Sequence, residues 1–309
     1  MFGKSLDNGS AENINALDKG FKEIMSDSYI LSNLLGDWVD EFHDSTPEEI
    51  RQCLPTIDGN RKIVDLNSEH SSVNNGSIFL DKVFRVDIKE KNVKLIIGIE
   101  GQGDPNPGYS LEDRALYYAC RMISDQKGTV FDGDDYSDMQ KVYSIWCVLD
   151  PPRKRNNTVI RYTLNGRYDE GYSSPLEIYD PDRMEIVFVN ISDVYEANTS
   201  MGLMNTLFNK KVDDTERIKR LKEDYKIPEN ESLFRSVCDM SKTLDEQFRD
   251  YYLREGFNDG REQGSAETTI NLTVELVHNL MSSYRIDADD AMDALKIPED
   301  IREKIRDSL

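Results

Sequence analysis

The chain predicts an α/β core followed by a helical C-terminal extension, and three observations carry that reading. Two β-rich runs in "GSIFLDKVFRVDIKEKNVKLIIGIEGQ" flank the polar "KEKN" and read as a strand pair. A helical pattern, "LEDRALYYACRMIS", then leads to "KVYSIWCVLD", which is apolar on both faces as a central strand is. Strand pair, helix and central strand in succession is an α/β order. Past residue 195 no strand pattern recurs, so the sequence divides into an α/β domain over 1–195 and a helical region over 196–309.

The elements follow in order. "ENINALDKGFKEIMSDSYILSNLLGDWV" spaces Leu17, Phe21, Ile24 and Met25 at helical intervals, so a helix leads the fold. "DSTPEEIRQCLP" is an acidic, proline-containing connection to the strand pair. After the second strand, "GDPNPGYS" punctuates with Gly and Pro, and Ser110 caps the next helix with Glu112 and Asp113 in its first turn. A weak strand around "TVIRYTLNG" precedes a buried one in "RMEIVFVNIS". In the helical region, Gly256, Gly260 and Gly264 fall on one helix face. They make either a close-packing face or a weakly helical connector, since each interior Gly costs about 1 kcal/mol relative to Ala. The end, "IDADDAMDALKIPEDIREKIRDSL", reads as two short capped helices with Pro298 at an allowed first-turn position. Its acidity favours packing or a partner contact over reading of DNA.

A chain of 309 residues can bury a sizeable core. Its net charge of -21 opposes nucleic-acid binding over most of the surface, because polyanion affinity comes from Lys and Arg that displace counterions. Basic character survives locally in "PPRKRNN" (Arg153, Lys154, Arg155) and "RIKRLK" (Arg217, Lys219, Arg220, Lys222), where a solvated face is the ordinary meaning. Cys53, Cys120, Cys147 and Cys238 lie far apart with no CxxC pair, which predicts reduced core thiols and a cytoplasmic location. No apolar leader and no run of ~20 apolar residues is present, so a soluble protein outside the membrane is expected.

Candidate chemistry gathers where "LIIGIEGQ" should end. Strand alternation sets Ile96, Gly98, Glu100 and Gln102 on one face. A hairpin turning at Lys91 and Asn92 places Asp81 across from Gln102 and diagonal to Glu100, whereas Asp87 lies ~20 Å away at ~3.3 Å per residue. Two carboxylates and an amide at a sheet lip can hold Mg²⁺, which takes one or two carboxylates and keeps waters and phosphate oxygens as its other ligands. Asp81, Glu100 and Gln102 are either the candidate catalytic residues, with Asp81 and Glu100 as metal ligands, or ordinary polar residues at strand ends. Arg114, Tyr118 and Arg121 share one side of the following helix and could support the site or meet a phosphate, or pack as a half-buried amphipathic face. Asp18 and Glu23 on the leading helix are weaker candidates for an added ligand, and solvated residues otherwise.

The run "SIFLDKVFRVDI...KLIIGIEGQ...PGYSLEDRALYYACRMIS...YSDMQKVYSIWCVL", residues 77 to 149, resembles the PD-(D/E)XK nuclease family transposases, close to the recombination-promoting nucleases. The later "FRSVCDMSKTLDEQ" and the glycine-repeat helix also resemble that family's C-terminal region. The resemblance implies a restriction-endonuclease-like core, a mixed central sheet flanked by helices, and a Mg²⁺-dependent DNA endonuclease, with Mn²⁺ as a substitute ion and a role in DNA recombination. It implies Asp81 and Glu100 as metal ligands and Gln102 in place of the usual lysine. Gln can orient a water but brings no charge to the transition state. Gly101 and Gly103, on either side of it, should loosen the strand end. The rival readings are a degenerate member of the fold that binds nucleic acid or protein without cutting, and a structural protein that forms homo-oligomers through its C-terminal helices.

Overall fold

The computed structural model describes residues 17–56, 61–66, 69–72, 76–103, 107–165, 182–284 and 286–309. The start of the leading helix before residue 17 and the punctuation at 104–106 lie outside the described residues.

The leading periodic segment becomes two helices, α1 (residues 17–24) and α2 (Ser28–Trp38), because Asp27 between them acts as a cap. Its carboxylate accepts from the backbone N–H of Tyr29 and Ile30 and pairs with Arg61. Leu17, Phe21, Ile24 and Met25 of the first segment are buried, as the helical spacing requires. "DSTPEEIRQCLP" contains a helix, α3 (Pro47–Cys53). Thr46 and Glu49 close a reciprocal capping box around Pro47 at its start.

The first β-rich run is broken in two. A two-stranded antiparallel sheet joins β1 (Glu69–Ser72) to β2 (Gly76–Phe79). The chain then bends at Leu80 and Asp81 and enters β3 (Lys82–Ile88). A short 3-10 turn over Lys89–Lys91 and a left-handed Asn92 return it as β4 (Val93–Gln102). That connection is two residues longer than a tight turn at Lys91 and Asn92, so the register shifts by two. Lys82 pairs with Ile99, and Asp81, one residue before, comes to face Glu100 rather than Gln102. A shift of two preserves which side chains share a face.

The main sheet has five strands in the order β3-β4-β5-β7-β6, with β5 (Lys141–Val148), β6 (Thr158–Thr163) and β7 (Met184–Asn190). The β4, β5 and β7 pairings are parallel and both outer pairings are antiparallel, so this is a mixed sheet flanked by helices. Every residue of β5 is buried, as a strand covered on both faces must be.

Two glycines of β4 let helices approach from opposite faces. At Gly98 a Cβ would lie 2.9 Å from the sulfur of Met122 on α4 (Leu111–Ser124). At Gly101 it would lie 2.8 Å from the Phe21 ring on α1. Gly101 therefore seats an aromatic ring, and the strand end it belongs to is packed rather than loosened. On the α4 face, Ala115, Ala119 and Tyr118 pack against Trp146, Ile186 and Phe188. On the other face the Phe21 ring meets Phe208 of α5 (Ser200–Phe208), with centroids 5.7 Å apart.

The chain separates into two compact units, 1–245 and 246–309. The boundary lies later than the change in sequence pattern at 195, because α5 and α6 (Asp214–Glu223) build onto the sheet unit. Ser200 donates its N–H to Asp37 at 3.1 Å. Arg217, from the basic run on α6, is fully buried and donates to the carbonyls of Thr206, Asn209 and Val212 and to the Ser241 hydroxyl. It closes the C-terminal end of α5 from inside and is no part of a solvated basic face. The long helix α7 (Glu231–Tyr284) runs through the division. Gly256, Gly260 and Gly264 fall within it, and what packs on them lies outside the described residues. The second unit closes on Val277, Ala291, Met292, Ile297 and Ile305 with α8 (Ala288–Ala294) and α9 (Glu299–Arg306), where Pro298 is the N-cap residue.

All four cysteines are free, with Cys147 and Cys238 buried and Cys120 exposed. Among the described residues no helix is long and apolar enough to cross a membrane.

Gly101→Ala should drive a methyl into the Phe21 ring and lower stability by ~1–3 kcal/mol, the usual cost of overpacking a close-packed core. Urea denaturation of the two proteins measures this; an unchanged midpoint would show that α1 is not held against β4.

Candidate functional site

The bend between β2 and β3 exists because its neighbours are fixed on both sides. Leu80 is buried in the cluster with Val83, Ile96, Met122 and Val142. Lys82 is buried too, and its ammonium reaches Asp65 at 2.5 Å. Asp81, held between them, turns toward the end of β4 and interlocks with Glu100. The Asp81 N–H donates to Glu100 Oε2 at 3.1 Å, and the Gly101 N–H donates to Asp81 Oδ2 at 2.9 Å. Each carboxylate thus accepts from the backbone of the other's strand.

The remaining two oxygens meet cations. Asp81 Oδ1 lies 3.2 Å from Lys22 Nζ on α1, and Glu100 Oε1 lies 2.9 Å from Arg114 Nη2 on α4. Arg114 is itself fixed: it donates to the Tyr109 hydroxyl at 2.8 Å and lies over the rings of Tyr118 and Trp146, 5.0 and 5.2 Å from their centroids. Lys22 is the less constrained cation, 43% exposed at its side chain, with Asp18 a second acid 3.9 Å away.

Burial outweighs this pairing. Removing a carboxylate from water costs several kcal/mol, more than one partly exposed cation returns. The Asp81 carboxyl is raised above its ordinary range first by burial, against the Gly101 N–H and Lys22. Glu100 is pushed up to about 8, first by burial and next by the Asp81 charge, with Arg114 only partly offsetting them. The pair accordingly resists full ionisation, as two neighbouring acids do when no additional cation is present.

Among the other candidates, Gln102 is buried at the last position of β4, on the Glu100 face and beside Val148. Tyr118 supports Arg114 rather than reaching the carboxylates itself, and packs on Trp146 with centroids 5.6 Å apart. Arg121 lies two helical turns, or ~10 Å, beyond Arg114, where it donates to the Tyr117 hydroxyl at 3.3 Å. Glu23 accepts from the Ser232 hydroxyl at 3.3 Å, whereas Asp18 reaches the cluster through Lys22. Lys22 and Tyr109 are the neighbours that sequence reasoning missed. The readable signal for Lys22 was its place beside Phe21: once that ring is buried against the strand end, the next side chain falls at the strand's lip.

A second ionic cluster lies at the opposite end of the parallel strands. Lys141 pairs with Glu41, Asp182 and Glu185, Arg161 pairs with Glu185, and the Tyr143 hydroxyl donates to Glu41 at 2.6 Å. An open cleft of about 550 Å³ adjoins it. Its buried acids are met by Lys141 and Arg161, and the cluster reads as a lock on the strand starts.

Among the described residues, no group of three or more His, Cys, Asp and Glu side chains is arranged to hold a metal ion. The donors at Asp81 and Glu100 nevertheless fit Mg²⁺ or Mn²⁺. Both ions accept hard oxygen ligands, and Mg²⁺ commonly takes two carboxylates with water and substrate completing the shell. Comparison with known protein families, with curated proteins and with solved structures returns no match.

The raised Glu100 has a consequence for stability. Between its ordinary value of 4.5 and about 8, the folded chain keeps a proton that the unfolded chain has lost. Stability should therefore be highest, as far as this group decides it, at low pH, and fall as pH rises through that window. Glu100→Gln should remove most of the fall. Urea midpoints at about pH 5 and about pH 8.5 compare the two proteins; parallel pH profiles would show that Glu100 ionises freely in the fold.

Proposed function

We propose that this chain is a Mg²⁺-dependent DNA endonuclease of the PD-(D/E)XK, transposase-associated type, with a restriction-endonuclease-like core and Mn²⁺ as a substitute ion. The observation that carries this reading is the Asp81 and Glu100 pair, interlocked by backbone hydrogen bonds at the end of β4 and under-neutralised by its protein cations. The mixed sheet, with an antiparallel hairpin feeding parallel strands through α4, supports it.

In this reading Asp81 and Glu100 hold the ion. When bound, it would acidify an attacking water and offset charge on the phosphate. Arg114 keeps Glu100 aimed. Gln102, one alternation further along the same face, positions water or a phosphate oxygen through its amide. A chain of net charge -21 must approach DNA through local cations. The loop after β5 supplies Arg153, Lys154 and Arg155, and Arg155 docks on Glu112 in the first turn of α4 at 2.5 Å. Action in the cytoplasm belongs to the same reading.

A second reading has a specific observation in its favour. Every oxygen of the carboxylate pair already has a protein partner, and Gln102 brings no charge, as in a site retained for binding rather than cutting. Leu272 and Leu276, one turn apart on α7, are exposed apolar residues suited to self-association of the C-terminal region.

Nicking of supercoiled plasmid in Mg²⁺ or Mn²⁺ separates the two. Parent protein should nick, Glu100→Ala should not, and Gln102→Ala should slow cleavage by about a hundredfold, the usual cost of one preorganised contact. Gln102→Lys should match or exceed the parent. A parent that cuts no nucleic acid, or a Glu100→Ala protein that cuts equally, would overturn the nuclease reading in favour of binding.

A further inference from the structure

We infer that Lys22 is an internal counter-ion for the carboxylate pair, seated where a divalent cation takes hold and displaced toward Asp18 when the cation arrives. This rests on the metal site of the proposed function and adds a means of regulating it.

The contacts of the pair differ in whether they can be released. Of the four carboxylate oxygens, Glu100 Oε2 and Asp81 Oδ2 accept from the backbone N–H groups of Asp81 and Gly101, which cannot leave without opening the sheet edge. Glu100 Oε1 accepts from Arg114, clamped by the Tyr109 hydroxyl and the Tyr118 and Trp146 rings. Only Asp81 Oδ1 has a partner that can swing away. Lys22 carries its charge on a flexible four-carbon stem and is 43% exposed at its side chain, so its ammonium can swing out to solvent while Asp81 stays buried.

The backbone beneath Lys22 cannot follow that movement. On α1, Phe21 is buried against Gly101, and Gly20 is so close to α7 that a Cβ there would meet the Met240 sulfur at 2.9 Å. Displacement is therefore a side-chain swing about a fixed helix. Its landing point is present: Asp18 lies one turn earlier on the same helix, 3.9 Å from the ammonium and 56% exposed. Lys22 thus has one acid within the site and one at its rim. Without a divalent cation the ammonium screens Asp81. With one, two cations cannot share Asp81 Oδ1, and the more mobile one moves out. The site's divalent affinity is then set by competition with Lys22.

Mn²⁺ titration of the full-length chain, followed by the paramagnetic resonance of the free ion, tests this without relying on cleavage. Asp81→Asn supplies the background from acids elsewhere on the surface. Lys22→Gln should bind Mn²⁺ about tenfold more tightly than the parent, the equivalent of ~1.4 kcal/mol for moving a partly exposed ammonium off Asp81. Lys22→Arg, which keeps the charge, should stay near the parent, and the gain should vanish in the Lys22→Gln, Asp81→Asn double variant. Equal or weaker binding by Lys22→Gln, or a gain that survives in the double variant, would overturn the inference. Tighter binding in a chain that cuts no nucleic acid would keep the counter-ion and remove the nuclease. Cleavage by a parent whose Lys22→Gln variant binds no more tightly would do the reverse.

Discussion

Two hydrogen bonds that cross between strands, Asp81 N–H to Glu100 and Gly101 N–H to Asp81, join the bend before β3 to the end of β4, and the candidate site is organised around them. They hold two acids side by side in a place where water is largely excluded. Such an arrangement is costly by itself, because each charge loses its hydration and then meets its neighbour. It persists because backbone donors at the strand end meet the inner oxygens and two helices bring cations to the outer ones. The residual strain shows in Glu100, which keeps its proton up to about 8.

The rest of the fold places those helices. Gly98 and Gly101, of opposite parity on one strand, admit α4 on one face and α1 on the other, and with them Arg114 and Lys22. Behind α1 stand Phe208 of α5 and the start of α7, which is why the helices after the sheet belong to the same compact unit. Arg217 then secures α5 by donating to its last carbonyls and to the segment after it, a use of a buried arginine that replaces solvent with three backbone acceptors and a hydroxyl. At the far end of the strands Lys141 and Arg161 meet Glu41, Asp182 and Glu185 in ion pairs that fix the strand starts.

Much of this was legible in the residues. Alternation put Glu100 and Gln102 on one face, and the doubly apolar "KVYSIWCVL" announced the central strand. The exact partner of Glu100 was not legible, because hairpin register depends on turn geometry. A 3-10 turn ending in left-handed Asn92 moved Asp81 from Gln102 to Glu100, while leaving both on the predicted face. Helical composition after residue 195 could not reveal which helices pack on the sheet; that depends on contacts such as Phe21 with Phe208, far apart in sequence. The role of Gly101 was misjudged for the same reason, since a glycine that loosens a strand and one that receives a ring look alike until the ring is in view. In "RIKRLK" charge alone suggested solvent, and Arg217 is buried because carbonyls at the end of α5 need donors.

The functional account turns on whether the interlocked pair takes a divalent ion. Its acids are held on their inner oxygens and only one outer partner is free to move, so an ion has a single place to enter. Crystals grown with Mn²⁺ and measured for anomalous scattering test this most directly. A peak beside the Asp81 and Glu100 carboxylates, with the Lys22 side chain turned toward Asp18, is the predicted result. Anomalous density elsewhere on the acidic surface, with none at this pair and Lys22 still on Asp81, would contradict it.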